Sequence, residues 1–222
     1  MLRVGLTGDL GSGKSTVARM LAERGAFVLS SDEMGKAMMQ PGQPVFDQIV
    51  ATFGKEVVAA DGTLDRHRLA TLAFDRVQPR VDELNAIVHP AVIEAQSKYL
   101  AELARTNPNA IVVVESALIF STTHTPEGTW RNRFDRILLV EAPESEKIAR
   151  FSDRIAAGRE LSRGERAAIE ADAQRRLAVQ HTSAYAGDCL VLHNDGDIEF
   201  LERQVDVAWI ELKKLAAERT AP

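Results

Sequence analysis

Cysteine is almost missing from this chain. Cys189 is the single one in 222 residues, so no disulfide within the chain can staple the fold. That usage fits a reducing compartment, and the expected location is the cytoplasm. Long apolar runs are missing too. No stretch approaches the roughly 20 apolar residues that span a bilayer, so no membrane role is expected. Arg3, Asp9 and the early glycines interrupt the charged-then-apolar layout that a secretion signal would need. Positive charge is also scarce. With 27 Lys and Arg against 32 Asp and Glu, the formal net charge is −5, which argues against a broad electrostatic grip on nucleic acid. His67, His124, His181 and His193 lack metal-ligand spacing. There is no internal repeat and no low-complexity tract.

What remains is a globular composition, 45% hydrophobic, with short apolar stretches set between helical patterns. Residues 2–7 read as a strand, followed by a glycine-rich turn from Gly8 to Gly13. A helix from Lys14 to Arg24 puts Val17, Met20 and Leu21 on one face, with Gly25 as its stop. Further strands are expected at Phe27–Leu29, Ala110–Val114, Arg136–Val140 and Cys189–Leu192, and a last helix from about Ile198 to Ala217. This alternation predicts an α/β fold, a five-stranded parallel sheet flanked by helices. Two connections are too long for simple crossovers. The first, about 80 residues, is punctuated by Pro41-Gly42, Gly54, Asp61-Gly62 and Pro90; an insertion of that size suits substrate binding. The second, from Pro143 to about Gln180, is helical and arginine-rich, with a capping box at Ser162 and Glu165. Pro126-Glu127-Gly128 is the clearest loop.

Residues 8–15 carry the chemistry. Gly8, Asp9, Leu10, Gly11, Ser12, Gly13, Lys14 and Ser15 match G-x-x-x-x-G-K-[ST], placed between a strand and a helix. Glycines let successive N–H groups converge on phosphate oxygens, and the following helix points its positive end at the same place. Lys14 would serve the β- and γ-phosphates, Ser15 would offer a hydroxyl to Mg²⁺, and Thr16 would complete the cradle. The pattern is expected to be the nucleotide site of a P-loop NTPase fold, taking ATP and Mg²⁺, with a merely tight strand-to-helix turn as the other reading; alone it does not separate kinases from GTPases or ATPase motors. The N-K-x-D motif of small GTPases and the ABC-type signature are both missing, while Asp32 to Gly35 form a D-x-x-G string too early for a switch. The long insertion and the arginine-rich segment favour a small-molecule kinase, which must clamp and dry both partners.

Asp32 directly follows the second strand. A carboxylate there can orient and deprotonate an attacking hydroxyl, or it can simply cap a helix beginning at Glu33. The stretch GLTGDLGSGKST, then SSD, QPG at 40–42, DGTLDR at 61–66, LNAIVHP at 84–90, RLAVQ at 176–180 and VLHNDG at 191–196 resembles the dephospho-CoA kinase family. These blocks run through most of the chain in the family's order. The resemblance implies dephospho-CoA as substrate and Asp32 as catalytic base. It also implies a core of about 1–31, 108–145 and 184–222, a helical substrate-binding insertion of about 32–107, and a helical lid of about 146–183. The chain departs from the family's Asp-x-Asp at Ser30, and from its P-L-L-F-E segment at Ala117 and Ser121.

Other residues keep two readings each. Glu115 ends an apolar run, where it can organise Mg²⁺ or substrate, or make a structural hydrogen bond. Arg150, Arg154, Arg159, Arg163, Arg166, Arg175 and Arg176 crowd one connection. Most should be surface groups paired with Asp153, Glu160, Glu165, Glu170 and Asp172. One or two should absorb charge on the transferring phosphoryl, and Arg150, Arg154 and then Arg176 are the candidates. His89, before Pro90 at an expected helix junction, touches substrate or only packs. Asn194 and Gly196 line an adenine pocket or form an ordinary turn; Met34, Met38 and Met39 fill a core, as does Cys189. The expected enzyme is thus an ATP-dependent kinase, a monomer or weak homo-oligomer. A kinase for a nucleoside, nucleotide or other hydroxyl compound, and a non-catalytic ATP-binding regulator, are the alternatives.

Overall fold

The computed structural model describes residues 1–75, 77–121 and 129–219. The loop expected at 126–128 and His124 lie outside the described residues. Two compact units emerge: residues 1–29, 103–121 and 129–219 form one, and residues 30–75 and 77–102 the other.

The first unit is built on five strands, β1 (Leu2–Thr7), β2 (Phe27–Ser30), β3 (Ile111–Glu115), β4 (Arg136–Glu141) and β5 (Leu190–His193). Their order is β2-β3-β1-β4-β5. The central strands pair in parallel, with Leu2 opposite Ile111 and Leu6 opposite both Glu115 and Leu138. A strand covered on both faces should be largely apolar; Ile111–Val114 of β3 and Ile137–Val140 of β4 are, and β1 is apart from Arg3 and Thr7. Alternate residues feed two cores. Leu2, Val4, Leu6, Val113, Leu138 and Val140 pack with Val17, Met20 and Leu21 of α1 (Lys14–Glu23) and with Leu201, Val205 and Leu212 of α9 (Ile198–Glu218). Val114 and Ile137 face the other way, onto Ile119 and Phe134. Gly5 belongs to that second face, where a Cβ would sit 2.6 Å from Ile137 Cδ1 and 2.9 Å from Ile119 Cδ1.

The second unit is helical: α2 (Ser31–Met38), α3 (Pro44–Phe53), a 3-10 turn (Lys55–Val57), α4 (Arg66–Ala73) and most of α5 (Val81–Thr106). Val45, Ile49, Phe53, Val57, Leu69 and Ala73 form its own core; Met38 and Met39 pack against it as expected, whereas Met34 is half-buried outside that cluster. Asp61-Gly62 makes a turn between the bridged residues Val58 and Leu64. Pro90 does not end a helix. It lies inside α5, which corrects the expected junction. The proline removes one amide from the ladder, and the remaining turns of a 26-residue helix carry the chain through.

Back in the first unit, α6 (Trp130–Arg133) precedes β4, and α7 (Glu144–Ala156) and α8 (Arg163–Leu177) follow it. Ser162 and Glu165 form the expected capping box at the start of α8. A 3-10 segment, Thr182–Asp188, leads to β5. Cys189 sits just ahead of β5, where its thiol donates to Tyr185 O at 3.1 Å. It is half-buried rather than fully buried, and that burial pushes the thiol up to about 11.

The crowding around Gly5 gives a stability test. Gly5→Ala should destabilise the protein by about 1–3 kcal/mol through overpacking. Adding Ile137→Val, which removes one of the two clashing methyls, should recover part of that loss in urea unfolding.

Candidate active site

The loop between β1 and α1 owes its shape to backbone geometry that only glycine takes without strain. Gly11 and Gly13 have φ of 71° and 101°. A Cβ on Gly11 would meet Lys147 O at 2.1 Å, and one on Gly13 would meet Asn194 Nδ2 at 2.2 Å. Gly13 caps α1 without any side-chain hydrogen bond. Among the described residues, the amides of Gly11, Gly13 and Ser15 donate to nothing. Open amides at a helix N-terminus are suited to an anion. Lys14 Nζ donates across the loop to Gly8 O at 2.9 Å and Asp9 O at 3.0 Å.

Neighbouring elements hold this loop from outside. Asn194, one residue past β5, donates from Nδ2 to Ser12 O at 2.8 Å, while its amide donates to Glu141 O at 2.7 Å. Leu10 N donates to Gln180 Oε1 at 2.7 Å. The buried carboxylate of Asp9 accepts from Lys147 Nζ at 2.6 Å and Thr182 Oγ1 at 2.7 Å. Lys147 and Thr182 are functional contacts that no sequence motif marks. Gln180 closes the RLAVQ block quoted above. A Cβ on Gly196 would meet Phe200 Cδ1 at 3.0 Å.

Ser15 is exposed in the first turn of α1, and Thr16 is half-buried beside it. Glu115 closes β3 opposite Leu6, near the end of β1 that feeds the loop. Ser15 and Glu115 carry hard oxygen donors of the kind Mg²⁺ takes.

The arginines divide by partner. Arg150 pairs with Glu146 and donates to Asn194 O at 3.0 Å, so it joins the group that holds the loop. Its Nη1 is buried with no hydrogen-bond partner among the described residues. Arg154 and Arg176 lie 5.4 Å and 5.6 Å from the centre of the Phe151 ring. Arg175 and Arg176 share Asp172, and Arg159 lies 3.8 Å from Glu165, as expected of surface pairs.

Comparison with known proteins gives this site its family. The dephospho-CoA kinase family profile matches residues 2–199. The dephospho-CoA kinase of Moorella thermoacetica is 34% identical over 222 residues, covering 100% of this chain and 97% of that protein. That of Syntrophus aciditrophicus is 37% identical over 218 residues, covering 96% of this chain and 84% of its own length. The crystal structure of TT1252 from Thermus thermophilus superposes with a TM-score of 0.69 at 30% identity, covering 95% of this chain and 97% of that one. The chain belongs to the dephospho-CoA kinase family. It is an ATP-dependent kinase on the P-loop fold. A dephospho-CoA kinase from Campylobacter jejuni, at 16% identity and a TM-score of 0.55, shares the fold.

Asp32 and His89 belong to the helical unit. Asp32 does not cap a helix beginning at Glu33, which corrects one of its two readings. The helix starts at Ser31, and Ser30 caps it by accepting from Glu33 N at 3.4 Å. The exposed Asp32 carboxylate makes no hydrogen bond or ion pair among the described residues. Where the dephospho-CoA kinase pattern has its first aspartate, this chain thus has the cap of α2. His89 is half-buried in α5, and that burial holds its imidazole below the usual value, favouring the neutral form. Among the described residues no helix is long and apolar enough to cross a membrane.

Asn194 offers a direct check on how the loop is held. Asn194→Ala leaves Ser12 O without its donor, and the KM for ATP should rise about tenfold with a smaller change in kcat. Steady-state kinetics at varied ATP would show it.

Proposed function

We propose that the protein transfers the γ-phosphoryl group of ATP to the 3′-hydroxyl of dephospho-CoA, giving ADP and coenzyme A, the final step of coenzyme A biosynthesis. The observation that carries this reading is family membership along nearly the whole chain, with the phosphate loop intact.

In this scheme the open loop amides and Lys14 hold the β- and γ-phosphates, and Asn194 with Arg150 supports the nucleotide side. Mg²⁺ would be held by Ser15 and Glu115, where it supplies positive charge against the phosphate oxygens. Asp32 accepts the proton of the 3′-hydroxyl as the oxygen–phosphorus bond forms, while the bond to the β–γ bridging oxygen breaks and ADP leaves. Its carboxylate is uncommitted to capping, which supports that use. Arg150, Arg154 and Arg176 are the cations for the transferring group. The helical segment of about 32–107, with His89, is assigned to the dephospho-CoA side. The segment of about 146–183 is assigned the role of a lid that excludes water. The enzyme works in the cytoplasm as a monomer or weak homo-oligomer, without nucleic acid.

Incubating the protein with ATP, Mg²⁺ and dephospho-CoA should add one phosphoryl group to the acceptor by mass. Lys14→Ala and Asp32→Asn should each lower turnover by about 10²-fold or more while leaving the fold intact. An unphosphorylated acceptor with ATP bound would rule out this substrate, and phosphorylation of a nucleoside panel would redirect the assignment. Near-normal turnover in Asp32→Asn would remove the base role alone.

A further inference from the structure

The second position of the phosphate loop carries a charge that the loop's own chemistry does not require. Asp9 lies one residue past Gly8, and its side chain is only 10% exposed. An anionic group inside a cradle for anions works against the ligand unless its charge is cancelled. Lys147, near the start of α7, does this at 2.6 Å, with its own side chain 14% exposed. Thr182 donates to the other oxygen at 2.7 Å from the start of the 3-10 segment ahead of β5. Both carboxylate oxygens are therefore engaged, each by a different element.

The same elements touch the loop twice more. Lys147 O packs where a Cβ on Gly11 would stand, and Gln180 Oε1 accepts from Leu10 N. The loop is thus bracketed by the two ends of the helical connection between β4 and β5: Lys147 where α7 begins, and Gln180 with Thr182 after α8 ends.

We propose that Lys147 is a positioning residue for ATP, acting through Asp9: the buried pair, completed by Thr182, ties the phosphate loop to both ends of the α7–α8 connection and cancels a carboxylate that would otherwise oppose the triphosphate. This rests on the reading of the loop as the ATP site. It gives the two partners unequal weight. Losing Lys147 leaves a bare anion in the loop, whereas losing the Asp9 charge leaves a cation beside it.

The test is calorimetric titration with Mg-ATP, together with KM and kcat, for Lys147→Met, Asp9→Asn and the double variant, with thermal unfolding as a check on folding. Lys147→Met should weaken ATP binding about tenfold, Asp9→Asn by no more than about threefold, and the double variant should recover most of the Lys147→Met loss. The KM for dephospho-CoA should stay within about twofold of its starting value in all three, as a local effect on the nucleotide requires. Equal losses in the two single variants, or no recovery in the double, would reduce the pair to a structural tie and overturn the proposal. Should Lys147→Met fail to fold, Lys147→Gln is compared with Asp9→Asn, and the same inequality decides. Wild-type protein that binds no ATP would overturn the nucleotide reading itself, an outcome distinct from bound ATP with equal losses.

Discussion

A helix that begins with open amides has to be held by something other than its own cap. In the sheet unit that constraint falls on the turn from Gly8 to Lys14, where Gly13 precedes α1 in a left-handed conformation and offers no side-chain cap. Left alone, such a turn would close on its own carbonyls or fray. Here the carbonyl of Ser12, the amide of Leu10 and the carboxylate of Asp9 are each engaged by a different neighbour. These contacts hold the loop from behind and leave the amides of Gly11, Gly13 and Ser15 without acceptors among the described residues, an arrangement suited to an anion that need not first pay to reorganise the backbone.

The sheet supplies the neighbours. Parallel strands buried on both faces share one direction, so β1, β4 and β5 deliver their carboxyl ends to the same edge. Glu141 at the end of β4 receives the amide of Asn194 just past β5, and Asn194 in turn reaches the loop that leaves β1. One apolar pattern therefore has two consequences. Alternate residues of β1 and β4 fill the two cores, and the register that this packing fixes brings Asn194 to Ser12. Arg150 joins the same group through Asn194 O, which explains why it, rather than the more exposed Arg154 or Arg176, is tied to the loop.

What was legible in the sequence followed from local rules. The glycine spacing, the flanking strand and helix, and the Ser162–Glu165 box each depend on residues within a few positions of one another, and each took its expected form. Strand ends moved by one residue because pairing, not hydrophobicity, decides where a ladder stops: Glu141 and His193 are opposite each other although neither is apolar. Pro90 misled for a different reason. A proline's local penalty can be absorbed by a long helix packed along its length, so tertiary context outweighed the breaker signal. Lys147 and Thr182 were illegible because their meaning lies 138 and 173 positions away, at Asp9. A lysine one turn into an acidic helix start reads as surface until the loop is seen against it.

Ser30 illustrates how a departure from a family pattern can leave the local structure unchanged. Asp and Ser are comparable N-caps, since each presents a short side-chain oxygen to the amide two or three residues on. With Ser30 in that position, α2 starts at Ser31 and the amide of Glu33 finds its acceptor. Asp32 is then spared the backbone contact that a cap residue must make. Replacing the first aspartate of an Asp-x-Asp pair by serine thus keeps the helix start while removing one negative charge from the neighbourhood of the second. The exchange costs the fold almost nothing, and it leaves Asp32 as the carboxylate on which the proposed proton transfer rests.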